Sequence, residues 1–195
     1  MNKDQPIILH LLSGGLDSVT LLYKLHREDG YKVLPLLFDY GQTHSKELTF
    51  ARRHCEQLNL PFVTYALQLP VVTMPNSPII PNRNAILISL AVNIAIIEKA
   101  TAITIGCNAD DAEVFPDCTR SFLTTMAAAI DWAELDVELW APFLDLRKID
   151  ILKLSKKYNI RLDDIWTCYA GGETPCGKCL ACQKLAAAQN DVNGS

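Results

Sequence analysis

Two groups of residues in this chain have types and spacings that can do chemistry, and each suits a different kind. The first is Ser13-Gly14-Gly15-Leu16-Asp17-Ser18. Glycines let a backbone close on a phosphate, and serine hydroxyls add donors. The run before it, residues 7–12, is apolar and of strand length, while Val19, Leu21, Leu22 and Leu25 after it repeat at helical spacing. A strand-to-helix turn directs N–H groups and the positive end of a helix dipole at one point, where an anion binds. An ordinary turn with Ser or Asp as helix cap is the plainer reading, and the full hexapeptide in this context favours the anion. The second group is Cys168, Cys176, Cys179 and Cys182, which contains two consecutive C-x-x-C spacings. Four thiolates complete a tetrahedral zinc ion and leave no open position, so such a site staples structure. An iron–sulfur cluster and a redox dithiol use the same residues. Cys55, Cys107 and Cys118 are scattered and read as small buried hydrophobes, with Cys118 close to the other candidate segments.

Five further segments carry polar chemistry. Phe38-Asp39-Tyr40-Gly41-Gln42-Thr43-His44 closes the second strand-like run and is either a polar turn or part of a ligand site. In Pro81-Asn82-Arg83-Asn84, Arg83 lies at the start of an apolar helix, where a cation is unhelpful without an anionic partner. A planar grip on a carboxylate or phosphate would supply one. Gly106-Cys107-Asn108-Ala109-Asp110-Asp111 and Phe115-Pro116-Asp117-Cys118 follow the next strand. The carboxylates Asp110, Asp111, Glu113 and Asp117 are either solvated or available to magnesium and to the N–H edge of a base. Arg147 and Lys148 open a later helix, as surface cations or with Lys148 as a point charge on phosphate.

The elements that must position these residues alternate. Strand patterns at 7–12, 32–38, 62–66 and 102–106 are separated by helix patterns from about 17, at 45–58 and at 85–99, with a Pro-rich loop at 71–81. A helix at 121–131, a short strand at 137–140 and a helix at 147–158 follow. Such alternation predicts an α/β fold with a doubly wound parallel sheet, whose ligands sit at the carboxyl ends of the strands. Residues 1–160 form the expected α/β domain, 161–188 a four-cysteine segment packed on it, and 189–195 a mobile polar tail. The chain has 195 residues, 49% hydrophobic, and a net charge of −4. One core is therefore expected, and a dedicated nucleic-acid binder is disfavoured because it would carry a basic face. No apolar run reaches the ~20 residues of a membrane helix, so a cytoplasmic protein that makes no membrane contact is expected.

The hexapeptide after a buried strand resembles the signature of the PP-loop ATP pyrophosphatases, and no Gly-Lys-Ser/Thr follows as in a Walker loop. SGGLDS, FDYGQ-x-H, P-x-RN, G-x-N-A-x-D, PDC and the four cysteines, in that order, narrow the resemblance to the 7-cyano-7-deazaguanine synthase family. The resemblance implies ATP contacts from Leu12, Ser13, Gly14, Gly15, Leu16, Asp17, Ser18, Phe38 and Gly106, with Asp17 near a magnesium ion. It implies catalytic roles for Asp17, Arg83, Asp110 and Lys148. Substrate contacts would come from Tyr40, Gln42, His44, Arg83, Asn84, Asn108, Asp110, Asp117 and Cys118, and structural zinc from the four cysteines. The implied reaction takes 7-carboxy-7-deazaguanine and ammonia to the nitrile through an acyl-adenylate and an amide, with two ATP consumed; a homodimer is a further expectation. Glu113-Val114-Phe115 stand where the family has Ser-Gly-Tyr, and the loop before Pro81 is short. A relative that couples the activated base to another amine, on a protein for instance, is the alternative. A zinc-ribbon interaction module and a tRNA-thiolating PP-loop enzyme are the rivals, disfavoured by the intact loop and by the lack of a basic appendage.

Overall fold

The computed structural model describes residues 5–42, 45–69 and 80–193. Its centre is a sheet of five parallel strands in the order β3-β2-β1-β4-β5: β1 (Ile7–Leu11), β2 (Lys32–Asp39), β3 (Val63–Ala66), β4 (Ala100–Thr104) and β5 (Glu138–Trp140). The central strands are buried on both faces, which is why they read as nearly unbroken apolar runs. Alternate side chains go to opposite sides. Leu9, Leu11, Leu36 and Phe38 join the core under α3 (Arg83–Glu98) and α5 (Arg120–Trp132), while Val33 and Leu37 join the other core. That second core includes residues of α1 (Leu16–Tyr23), α2 (Lys46–Gln57), α6 (Lys148–Lys157) and α7 (Leu180–Asn193). The expected α/β doubly wound parallel sheet is therefore present.

The strand order reverses between β1 and β4, so the connections leaving their carboxyl ends diverge and leave a crevice between them. Both motif loops, after β1 and after β4, open into that crevice. β4 begins two residues earlier than the sequence pattern indicates, and Ile105 N–H extends the pairing by donating to Trp140 C=O at 3.0 Å.

Two helices were not read from the sequence. The single turn α4 (Ala109–Ala112) is capped by Asn108, whose side chain accepts from Asp111 N–H. α7 contains residues 189–193, expected as a mobile tail. Its Leu185, Ala188 and Val192 follow helical spacing and pack into the core, and Ala188 is buried. A helix with this seam has a reason to stay docked. Among the described residues no helix is long and apolar enough to cross a membrane.

Candidate active site

A cavity of about 240 Å³ occupies the crevice. One wall is the loop after β1, through Leu12, Ser13, Gly15, Leu16, Asp17 and Ser18. The loop is shaped before any ligand arrives: Ser18 Oγ lies 2.9 Å from Ser13 Oγ and accepts from Ser13 N–H at 3.2 Å. Gly15, whose N–H donates to Ser13 Oγ at 3.3 Å, caps α1 with no side-chain hydrogen bond of its own, and the helix N-terminus faces the cavity. Gly14 lies behind the wall rather than on it. Its φ is +92°, and a Cβ there would stand 2.2 Å from Glu47 C=O, so only glycine lets the loop rest on α2. Gly106 closes the loop from the β4 side, where a Cβ would press on Ser18 N at 3.2 Å.

His10, fully buried on β1, fixes the same loop from beneath. Its Nε2 is 2.9 Å from Ser18 C=O and its Nδ1 2.8 Å from Thr104 Oγ1. Burial lowers its pKa to about 4, so the ring is neutral and joins loop to sheet without carrying charge.

Lys148, the first residue of α6, reaches Asp17 with Nζ–Oδ2 2.6 Å. Burial opposes its charge, but Asp17 and Asp111 outweigh this and hold the ammonium above its usual range. Asp111 is pushed up by burial and by Asp17, against the pull of Lys148 and Lys184. Asp17 Oδ1 is buried and has no hydrogen-bond partner among the described residues. Asp17 and Asp111, the former with an orphaned oxygen, stand between Lys148 and Lys184 and offer carboxylate ligands to a divalent cation. Asp110 does not line this cavity. Its carboxylate accepts from Arg147 Nε and NH2 at 2.9 and 2.7 Å and from Lys148 N–H at 2.6 Å, so it caps α6 and steadies Lys148. The turn of α4 brings Asp111, one residue on, to the cavity instead.

The far end of the cavity is built from Tyr40, Glu47, Arg83, Asn84, Cys107 and Cys118 over an apolar base of Leu36, Phe38 and Ile105. Arg83 NH1 donates to Tyr40 Oη at 3.4 Å; burial opposes its charge, and Tyr40, Asp117 and Glu47 hold it above the usual guanidinium range. Asn84 Nδ2 donates to Cys118 Sγ at 3.4 Å, and the hydrogen bond to Cys118, followed by burial, pushes Cys107 well up. Three expected substrate residues stand one layer back. Asp117 caps α3 by accepting from Asn84 N–H at 3.2 Å. Asn108 holds Asp111 by Nδ2–Oδ2 at 2.7 Å, and Gln42 binds Tyr40 N–H, Phe38 C=O and Glu47. His44 lies outside the described residues. Glu113 pairs with Arg147 at 3.1 Å on exposed surface, and Val114 is exposed.

The four cysteine sulfurs lie within 4.8 Å of one another. Backbone N–H groups of Ala170 and Cys176 donate to Cys168 Sγ at 3.4 and 3.3 Å. Those of Lys178 and Cys179 lower the Cys176 thiol to about 6. The segment is tied to the loop after β1, since Trp166 N–H donates to Gly14 C=O at 2.9 Å and its Nε1 to Cys168 C=O at 2.9 Å. It also supplies Tyr169, Ala181, Lys184 and Leu185 to the cavity wall. The sequence reading missed Glu47, Tyr169 and Lys184. The apolar seam of α7 is the one signal that pointed to Lys184's element.

Comparison with known proteins shows the family and the fold. Residues 7–76 and 68–193 match the family model described as queuosine biosynthesis protein QueC. A 7-cyano-7-deazaguanine synthase of Caldicellulosiruptor saccharolyticus is 37% identical, covering 88% of this chain and 85% of its own length. One from Archaeoglobus fulgidus is 34% identical over 88% and 81%. Among solved structures, the U34-tRNA thiolase NcsA of Methanococcus maripaludis with its [4Fe-4S] cluster gives a TM-score of 0.61 at 17% identity, covering 97% of this chain and 65% of that one. The NH3-dependent NAD synthetase of Campylobacter jejuni gives 0.55 at 17%, over 99% and 86%. At these identities the two structures speak for a shared fold alone.

Proposed function

The chain belongs to the QueC family of queuosine biosynthesis proteins, and on that premise we propose that it is an ATP-dependent ligase making 7-cyano-7-deazaguanine from 7-carboxy-7-deazaguanine and ammonia. The observation that carries the reading is that one cavity at the sheet's crossover joins the glycine-rich loop after β1 to an arginine-lined end. ATP lies with its phosphates on residues 13–18 and Lys148. Asp17 and Asp111 hold magnesium, which neutralises phosphate charge when bound; the orphaned Asp17 oxygen fits that role. Arg83 grips the substrate carboxylate and presents one oxygen to the α-phosphorus. Pyrophosphate leaves, ammonia displaces AMP to give the amide, and a second adenylation on the amide oxygen leads to the nitrile. Arg83 and Lys148 stabilise charge developing on oxygens, and none of these steps needs a protein nucleophile.

The cysteines hold zinc in this reading. A single tetrahedral ion with ~2.3 Å bonds sets its sulfurs about 3.8 Å apart, compatible with the compact group, whereas a four-iron cube spreads its thiolates wider. Incubation with ATP, magnesium, the 7-carboxy base and ammonium, followed by mass spectrometry, tests the proposal. Amide and then nitrile, with two AMP per nitrile, are expected; AMP release with no nitrile at any ammonium concentration overturns it.

A further inference from the structure

Glu47, the second residue of α2, lines the cavity at its arginine end although it is only 9% exposed. A carboxylate in such a place holds its charge only with hydrogen-bonding or charged partners. Its backbone is fixed by the close approach of Gly14, so its side chain has a set place relative to the phosphate loop. Among the described residues, the groups facing it include Gln42 and Tyr40 from the segment that ends β2, and Arg83 from α3. Gln42 Nε2 donates to Glu47 Oε1 at 3.3 Å, and the same Gln42 is pinned by Tyr40 N–H and Phe38 C=O. Lys46, beside it in sequence, is turned to the Trp166 ring and Glu173 C=O. Glu47 thus stands between the loop proposed to hold ATP and the arginine proposed to hold the carboxylate. The acyl-adenylate would form between those two.

Resting on the function proposed above, we propose that Glu47 is the proton acceptor for the nitrogen that attacks the acyl-adenylate. Ammonia adds to the acyl carbon and a C–N bond forms. The C–O bond to AMP breaks with its electron pair leaving on AMP, and one N–H proton passes to the Glu47 carboxylate, which gives a neutral amide. The other carboxylates on the cavity wall, Asp17 and Asp111, are engaged by Lys148 and, for Asp111, by Lys184 as well, and they belong to the phosphate end. Burial raises the Glu47 carboxyl to about 8, against the opposing pull of Gln42 and Arg83. A base with that affinity takes up and returns a proton within each cycle near neutral pH.

The test separates two half-reactions in wild type, Glu47→Gln and Glu47→Asp. The first is exchange of labelled pyrophosphate into ATP with the 7-carboxy base and no ammonium; the second is amide formation with ammonium. In Glu47→Gln, exchange is expected to stay within about threefold, which also reports a folded site, while amide formation falls by about 100-fold or more. Expressed per free ammonia, wild-type amide formation should rise through a pH of about 8, and the Gln variant should lose that rise. Glu47→Asp, which keeps a carboxylate, should recover about tenfold over Gln. Equal losses in both half-reactions, or a Gln variant with the wild-type rate and pH profile, would overturn the assignment. No exchange in the wild type would overturn the proposed function itself, and the inference with it.

Discussion

The loop after β1 and the four-cysteine segment both line the cavity, yet they are held there by different physics. The loop rests on the sheet: Gly14 against α2, Gly106 against Ser18, and His10 from below. Its shape is a property of the packed α/β core. The cysteine segment has a small apolar cluster, Trp166, Cys168 and Cys182, supported by Phe50, Cys176 and Cys179. Beyond the docked α7, its order is proposed to depend on a metal held by the four sulfurs, which lie within 4.8 Å of one another. One wall of the cavity is therefore intrinsic to the fold, and the other is clipped on.

The strongest way to probe the intrinsic wall is Asp17→Asn. It removes the charge that pairs with Lys148 while preserving shape, and turnover of ATP to AMP should fall by about 1000-fold with the far-ultraviolet circular dichroism unchanged. Wild-type AMP release would remove the loop from the chemistry. The clipped wall should respond differently. Metal removal by a chelator, or Cys182→Ser, is expected to lower Tm by about 10 °C, the equivalent of roughly 3–5 kcal/mol in a chain of this size. Amide exchange should rise in residues 168–182 while the rest of α7, held by its apolar seam, and the loop after β1 stay protected. Uniform loss of protection would mean that the two walls are one unit.

That contrast also decides what the sequence made legible. The glycine-rich loop, the paired C-x-x-C and the buried strands are local patterns, and each carries its own physical reason within a few residues. Glu47, Asp111 and Lys184 are not legible in that way. Glu47 sits in a polar helix start that reads as solvated, and the approach of α3, of the segment that ends β2 and of the Gly14 loop buries it. Asp110 and Asp111 are adjacent acids, and a single helical turn capped by Asn108 decides which one meets the cavity. Asp117 and Gln42, expected to touch substrate, support the lining residues from behind. α7 was missed because cysteine spacing dominated the reading of its segment, although Leu185, Ala188 and Val192 carried the periodicity.

Smaller effects sharpen the comparison further. The folded-state pKa of Glu47, about 8, lies above its ordinary value of 4.5. Its protonation therefore stabilises the fold fully below the unfolded value, and that contribution is lost as pH rises through 4.5 to about 8. Glu47→Gln should then be more stable than wild type at pH 8.5 by on the order of 2–4 kcal/mol and show little gain at pH 4, measured by urea unfolding. A gain independent of pH would contradict the buried carboxyl. The smallest effect belongs to the rim. Glu113 and Arg147 pair with side chains 64% and 60% exposed, so Glu113→Ala should change stability by less than about 0.5 kcal/mol. Its kcat and KM for the 7-carboxy base should stay within about twofold; a larger change in KM would bring the Glu113-Val114-Phe115 stretch into substrate choice.

The central claim is that the intrinsic wall brings ATP to a carboxylate held by Arg83, so that the carboxylate oxygen attacks the α-phosphorus. The most direct measurement uses 7-carboxy-7-deazaguanine labelled with oxygen-18 in its carboxylate, with mass analysis of the AMP and pyrophosphate formed. Each AMP should carry one labelled oxygen, in two successive turnovers on the way to the nitrile, and the pyrophosphate should carry none. Unlabelled AMP, or label in pyrophosphate, would contradict the account.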